Sequence, residues 1–414
     1  MRVLILVAFL TPPRLTAADT ALTPPTTTAY LNGYWFNGHQ FSHRTVYVVG
    51  ETFSFRRPRK LDATVDLNGA YVVPPFAEAH NHNVEPLNDI QKLVATYLEH
   101  GIFYVKDPDN LPRDRAAVLS ALNRPDSIDV IFSNGGWTSP GGHPAEIVRR
   151  NVDRGRWTQS DGDGAFYWAA ATPDDVANKW SAYLAQQPQF TKAYLLFVDD
   201  SKRQASNRYF GWKGLTPEVL RAIVERAHQA HLTVSSHVES AADFHDALVA
   251  GVDEINHMPG FRMFADIDSH SSSDFELSEA DAELAHRRGI VVVTTLVSAT
   301  GLEGSNRTDQ DATNRLNLRR LLAYHVRIAL GSDSYRQDTL AEAQYIESLQ
   351  VIPPATLLKM WTETTAQTIF PSRRIGRLKP GYEASFLVLS GNPLKDFSNV
   401  TRITQRVKQG HTLK

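Results

Sequence analysis

The sequence predicts an α/β protein: a (β/α)8 barrel of the TIM type joined to a small β-sandwich formed by the N- and C-terminal segments. Three observations carry this expectation. Short strand candidates and turn signals fill the chain as far as Val73. Short apolar runs then alternate with longer helical stretches, the pattern of a parallel sheet built from βα units. Past Phe370 the strand signals return. A chain of 414 residues is long for one ordinary domain and suits a barrel with an appended unit.

Composition narrows the function classes. Hydrophobic residues make up 42% of the chain and charged residues 21%, as in a globular protein with a large core. A net charge of -2 leaves no basic footprint for nucleic acid. The chain has no cysteine, which excludes disulfides, thiolate metal sites, a thiol nucleophile and a lipid-modified cysteine. Any metal must therefore be held by His, Asp, Glu or a modified Lys.

In chain order, Arg2, the apolar run Val3–Leu10 and Thr16-Ala17-Ala18 read as a secretory signal peptide over residues 1–18. The run is too short to span a bilayer. The expected location is periplasmic or secreted, otherwise cytoplasmic, with no membrane association once the signal is removed. Residues 19–27 read as a linker, and residues 19–75 as the first part of the sandwich. Its strand candidates are Ala29–Leu31, Gly33–Phe36, Thr45–Val49, Glu51–Phe55 and Thr64–Leu67. Asn32-Gly33, Asn37-Gly38 and Asn68-Gly69 are hairpin-type turn signals between them.

Residues 76–370 are expected to form the barrel. Its eight strands are read at Val72–Ala79, Phe103–Lys106, Asp129–Ser133, Lys192–Val198, Thr233–His237, Glu254–His257, Val291–Leu296 and Ile328–Gly331. Helices are expected between them, among others at Leu87–Glu99, Pro173–Gln186, Pro217–His231 and Ser278–Arg288. Thr216 followed by Pro217 is a cap with a first-turn proline. Residues 371–414 return to β structure, with Ala384–Leu389, Val400–Ile403 and Gln405–Lys408 expected to rejoin the N-terminal strands.

Function is read from the strand ends, since a barrel of this kind places its active site there. The first expected strand runs into His80-Asn81-His82. On a strand, positions i and i+2 share a face, so both imidazoles can close on one metal ion. The fifth strand ends in His237, the sixth in His257 and the eighth in Asp333, while the fourth carries Lys192. Four histidines and an aspartate at the ends of the right strands point to a metal site.

These residues resemble the amidohydrolase superfamily. The match is His80-x-His82 after an apolar strand, a lysine on strand four, His237 and His257 ending strands five and six, and Asp333 in Gly331-Ser-Asp333. The tail Ile375–Leu389 is similar to the family's last β segment, with Ser385 where that segment usually has Asp. The resemblance implies a binuclear centre, usually zinc, with Mn2+, Co2+ or Ni2+ as alternatives. It assigns His80, His82 and Asp333 to one ion and His237 and His257 to the other. Lys192, carboxylated by carbon dioxide, would bridge both, because a carbamate supplies two anionic oxygens where an ammonium would repel the ions. Lys106 is the competing lysine. Lys192 is preferred because Thr191-Lys-Ala-Tyr-Leu resembles the strand-four segment of the prolidase-like and imidazolonepropionase-like branch.

The implied reaction is hydrolysis of an amide-type C–N bond in a small substrate: an N-acyl amino acid, a dipeptide or a cyclic amide. The ions acidify a water and polarise the carbonyl. Asp333 shuttles the proton to the leaving nitrogen. The loop Gly135–Pro144 resembles a strand-three loop of the same branch, which makes His143 a contact to the substrate carbonyl or carboxylate. Arg208 and Tyr209, in the loop after strand four, are further candidates for substrate contact, Arg208 by pairing a carboxylate. Loop position alone puts Trp137 and the stretch Trp157–Trp168 at the pocket wall. Asp199-Asp200 read as a capping or loop pair. Rival readings are an imidazolonepropionase-like or other cyclic-amide, lactone or ester hydrolase, a mononuclear deaminase with Glu239 as its acid, and a non-catalytic metal-containing binder. A homo-oligomer stays open.

Overall fold

The structure is a computed structural model that describes residues 26–84 and 89–413. The expected signal peptide lies outside the described residues, as does Leu87 at the expected start of the first barrel helix. Among the described residues, eight strands form one sheet drawn from both ends of the chain. At its centre Thr27–Phe36 runs antiparallel to Phe41–Val49 and parallel to Ala63–Asp66 and Tyr71–Val73. Phe386–Leu389 pairs antiparallel with Tyr71–Val73, and Ile403–Lys408 pairs with Phe386–Leu389. Buried Tyr30, Trp35, Phe53 and Phe386 form its aromatic core, with the Trp35 and Phe386 ring centroids 5.4 Å apart.

The three Asn-Gly signals have three outcomes. Asn37-Gly38 makes the expected hairpin turn. Asn32-Gly33 lies inside a single strand, Thr27–Phe36, at a register shift, with Asn32 at φ 56°. Asn68-Gly69 turns the chain with φ 50° and 78°, yet the strands on either side both run parallel to Thr27–Phe36, so no hairpin forms. A left-handed Asn or Gly meets the needs of a bulge as well as those of a turn.

The expected first barrel strand is also divided. Tyr71–Val73 belongs to the end sheet and Phe76–Glu78 to the barrel. Pro74-Pro75 between them has no N–H to give a ladder, so the chain changes sheet there. Phe76–Glu78, Ile102–Asp107 and Asp129–Phe132 form a parallel three-stranded sheet. Thr191–Tyr194, Val234–His237, Glu254–Asn256, Val291–Val293 and Arg327–Ala329 are consecutive parallel neighbours in a second sheet.

The third stave bridges the two sheets. After Asp129–Phe132 it bends at Asn134 and Gly135, at φ 56° and 92°, and resumes as Gly136–Thr138, which pairs parallel with the fourth strand. This second half, and the short strand Tyr167–Ala169 beside it, are absent from the sequence reading. The barrel closes where Ala79 donates its N–H to Leu330, and Ser332 and Asp333 donate theirs to His80. The first and eighth strand ends are thus one hydrogen-bonded unit. The expected helices form at Ile90–Glu99, Pro173–Ala185, Pro217–Gln229 and Glu279–Arg288, with Thr216 capping the third of these. Asp200 caps the short helix Ser201–Ala205, as read.

Candidate active site

The C-terminal strand ends surround one cavity of about 140 Å³ lined by His80, His82, His143, Lys192, His237, His257 and Asp333, among others. His80 and His82 fall just past their strand, not within it, so strand alternation is not what aligns them. Both still aim Nε2 at Asp333 Oδ1, from 3.5 and 3.0 Å. The His257 ring lies 4.7 Å from that of His80 and 4.4 Å from that of His237. Donor atoms of His80, His257 and Asp333 all lie within 4.8 Å of one another.

Neighbouring groups fix each imidazole. His82 Nδ1 is 3.2 Å from the Pro108 carbonyl and His257 Nδ1 is 2.7 Å from Thr295 Oγ1. His237 Nε2 is 3.1 Å from Glu239 Oε1, and His143 Nδ1 is 2.7 Å from Glu146 Oε1. One ring nitrogen of each is thereby engaged, which fixes the ring orientation. His257 and Asp333 hold left-handed backbone, φ 74° and 47°, a region uncommon outside glycine that His and Asp enter more readily than most residues. Glu78 braces the closing seam. Its Oε1 accepts from the N–H groups of His80 at 3.1 Å and Ser332 at 2.9 Å, and its Oε2 from Ser332 Oγ at 2.8 Å.

The electrostatics suit a cation. Burial lowers the pKa of His80 to about 3 and drives those of His237 and His257 well below the usual range, so these rings are neutral. Burial also opposes charge on His82, but Asp333 and the nearby Asp109 and Asp107 outweigh it and carry His82 up to about 9. Burial works against the Asp333 carboxylate in turn, and His257, His80 and His82 overcome it and hold Asp333 well below its usual value. A divalent ion could take the place of the His82 proton. Neutral imidazoles with one carboxylate form an N/O donor set that fits zinc and equally Mn2+, Co2+ or Ni2+.

The two candidate lysines separate here. Lys192 lines the cavity, and its Nζ donates to Asn256 Oδ1 at 2.8 Å. Lys106 does not reach it; its Nζ meets Glu254 Oε1 at 2.8 Å and Ser235 Oγ at 2.7 Å inside the barrel.

The other loop residues divide too. His143 stands in the cavity wall, with its ring 5.3 Å from that of His237. Arg208 and Tyr209 do not line it. They meet Asp268 instead, Arg208 Nη2 at 2.8 Å and the Tyr209 hydroxyl at 2.7 Å. Trp137 is likewise not at the pocket. It is fully buried against Trp168, Trp180 and Tyr183, because its half-strand turns that side chain into the core. Phe166, from the Trp157–Trp168 stretch, does reach the wall.

Sequence reasoning missed Glu78, Glu146, Asp109 and Arg262. Glu78 carried a usable signal, an acid in an otherwise apolar run two places before His80. Arg262 follows His257 in the loop after the sixth strand and carried none.

Comparison with known proteins gives a consistent picture. Residues 175–404 match a family model described as "Amidohydrolase family". Ochratoxinase of Aspergillus niger is 28% identical over 215 residues, which are 48% of this chain and 42% of that protein. The match thus spans less than half the length of that curated relative. The crystal structure of A. niger ochratoxinase superposes with a TM-score of 0.72 at 18% identity, covering 94% of this chain and 96% of that one. A prolidase complexed with N-methylphosphonate-L-proline gives 0.70 at 18% identity, covering 94% and 100%. Molinate hydrolase gives 0.70 at 15% identity, covering 95% and 96%. At these identities the superpositions establish the shared fold.

Proposed function

The chain belongs to the amidohydrolase family, and from that premise we propose that it is a metal-dependent hydrolase cleaving an amide-type C–N bond of a small substrate such as an N-acyl amino acid, a dipeptide or a cyclic amide. The observation that carries the reading is the meeting of His80, His82, His237, His257, Lys192 and Asp333 in one cavity. His80, His82 and Asp333 would hold one ion, His237 and His257 a second, and a carboxylated Lys192 would bridge them. Zinc is the first choice. When bound, the ions supply Lewis acidity toward a water and the scissile carbonyl.

The remaining work falls to the chain's own groups. Asp333, ionised at neutral pH, accepts a proton from the attacking water and returns it to the leaving nitrogen. His143, oriented through Nδ1 by Glu146, stands in the cavity wall, where the doubly protonated ring would donate to the substrate oxygen and stabilise developing charge. Glu239 is held beside His237 and Arg262, which favours a positioning role over that of a deaminase's acid. Its Oε1 is shared between His237 and Arg262. The same reading divides the chain into a signal peptide at 1–18, sandwich segments at 19–75 and 371–414 and a barrel at 76–370, with export to a periplasm or beyond. Among the described residues, no helix is long and apolar enough to cross a membrane.

The test is metal per chain in the untreated protein, alongside Lys192→Ala and Asp333→Ala. Two equivalents that fall on Lys192→Ala are expected. Asp333→Ala should lower kcat by about 10²–10⁴-fold or more with the fold intact. One equivalent indifferent to Lys192, or an active Asp333→Ala protein, would overturn the assignment.

A further inference from the structure

The cavity has a cationic group that metal chemistry does not need. Arg262 stands in its wall. Arg262 Nε and Nη2 both donate to Glu239 Oε1, at 3.1 and 2.5 Å. Glu239 is buried and offsets the charge. The loop that carries Arg262 is held down beyond it, where Asp266 accepts from buried Arg203 at 3.0 and 2.6 Å, so the guanidinium is held in place before any ligand arrives.

A guanidinium has five N–H donors in a fixed plane. Two of them serve Glu239. The edge formed by Nη1 and the second Nη2 hydrogen offers two parallel N–H bonds, the geometry that a carboxylate accepts. Glu239 Oε1 also touches His237 Nε2 at 3.1 Å, so Arg262 stands one carboxylate away from a candidate metal ligand. That spacing suits an anion a bond or two from the scissile amide. Pro144, Ile147 and Phe166 supply an apolar wall in the same cavity.

We propose that Arg262 anchors the substrate's carboxylate, and that the preferred substrates are N-acyl α-amino acids with apolar side chains, in preference to neutral cyclic amides. The proposal rests on the hydrolytic reading above. Glu239 is its positioning residue.

The test compares N-acetyl-L-leucine with its C-terminal carboxamide, using the metal-loaded wild-type protein and Arg262→Gln. On the acid, kcat/KM should fall about 100-fold or more, chiefly through KM, as when one partner of a desolvated charge pair is removed. On the carboxamide it should change less than about threefold, and metal content should not change. Equal losses on both, or none on either, would overturn the proposal. Arg262→Lys keeps the charge without the fork and guards against misfolding; about a tenfold loss on the acid alone is expected. Should the wild type hydrolyse neither compound, the hydrolytic reading fails for this class. Arg262 is then decided by calorimetric titration with N-acetyl-L-leucine. Binding to the wild type that is lost in Arg262→Gln supports the anchor, and equal or absent binding sinks it.

Discussion

Lys106 and Lys192 are both buried in the barrel, 3% and 1% exposed, and they do opposite things. Lys106, on the second strand, is neutralised. Its ammonium meets Glu254 and Ser235 and lies over the Phe190 ring at 4.3 Å. Lys192, on the fourth, donates to the Asn256 side-chain oxygen and faces the cavity. Asn256 links the two environments. Its NH2 donates to Glu254 Oε1 at 2.7 Å, which points its oxygen at Lys192. Burial lowers the pKa of Lys192 to about 8. Lys106 is held by an ion pair; Lys192, with no carboxylate within ion-pair distance among the described residues, gives up its proton more easily.

The largest expected effect breaks this contrast from the Lys106 side. Lys106→Met leaves Glu254 buried without its cation, with an expected loss of about 3–5 kcal/mol in denaturant unfolding. Metal content per folded chain should stay at the wild-type level. Lys192→Met should do the reverse, lowering bound metal while unfolding within about 1 kcal/mol of the wild type, since it removes a buried charge that, among the described residues, has no carboxylate within ion-pair distance. Stability lost at Lys192 and metal lost at Lys106 would show that the roles are exchanged.

A smaller effect sharpens the contrast through pH. Only the neutral amine takes up carbon dioxide. With a pKa of about 8, the neutral fraction of Lys192 rises about eightfold between about pH 6.5 and 7.5, equivalent to about 1.2 kcal/mol. Metal-stripped protein given zinc at fixed dissolved carbon dioxide should regain activity faster at the higher pH by about that factor. His82, whose proton must also leave, pushes in the same direction. Omitting carbon dioxide separates the two, because His82 does not need it. A rate that ignores carbon dioxide would remove the carbamate from the reading.

The strand-end residues were legible because each closes a short strand candidate that alternates with a helical stretch, even where, as at Ser235-Ser236 before His237 and Asn256 before His257, the last strand positions are polar. His237, His257 and Asp333 needed no knowledge of tertiary pairing. The choice between Lys106 and Lys192 did need it, and only the resemblance favoured Lys192. Both lysines sit in apolar strands, and what separates them is an acid on the sixth strand, Glu254, that no local pattern connects to Lys106. Strand boundaries failed where one signal serves two purposes, as with Asn32-Gly33. Pro74-Pro75 was a readable break that the apolar run around it obscured. The loops were the least legible part. The direction of a loop side chain is set by ion pairs between loops distant in sequence, and that is why Arg208 meets Asp268 outside the cavity lining while Arg262, which no local pattern marked, is part of it.

That contrast supplies the smallest expected effect. Arg208 is largely exposed, and its pair with Asp268 is one that solvent screens. Exposed pairs contribute about 0–1 kcal/mol. The loop does not depend on it, because buried Arg203 holds the neighbouring Asp266. Arg208→Ala should therefore shift unfolding by less than about 1 kcal/mol and leave kcat/KM for N-acetyl-L-leucine within about threefold of the wild type. The comparison with Arg262→Gln is then between two arginines in one loop system, one turned outward to Asp268 and one turned into the cavity. A loss of tenfold or more in Arg208→Ala, with stability unchanged, would mean that the loop carries Arg208 to the substrate, and the carboxylate anchor would have to be shared between the two.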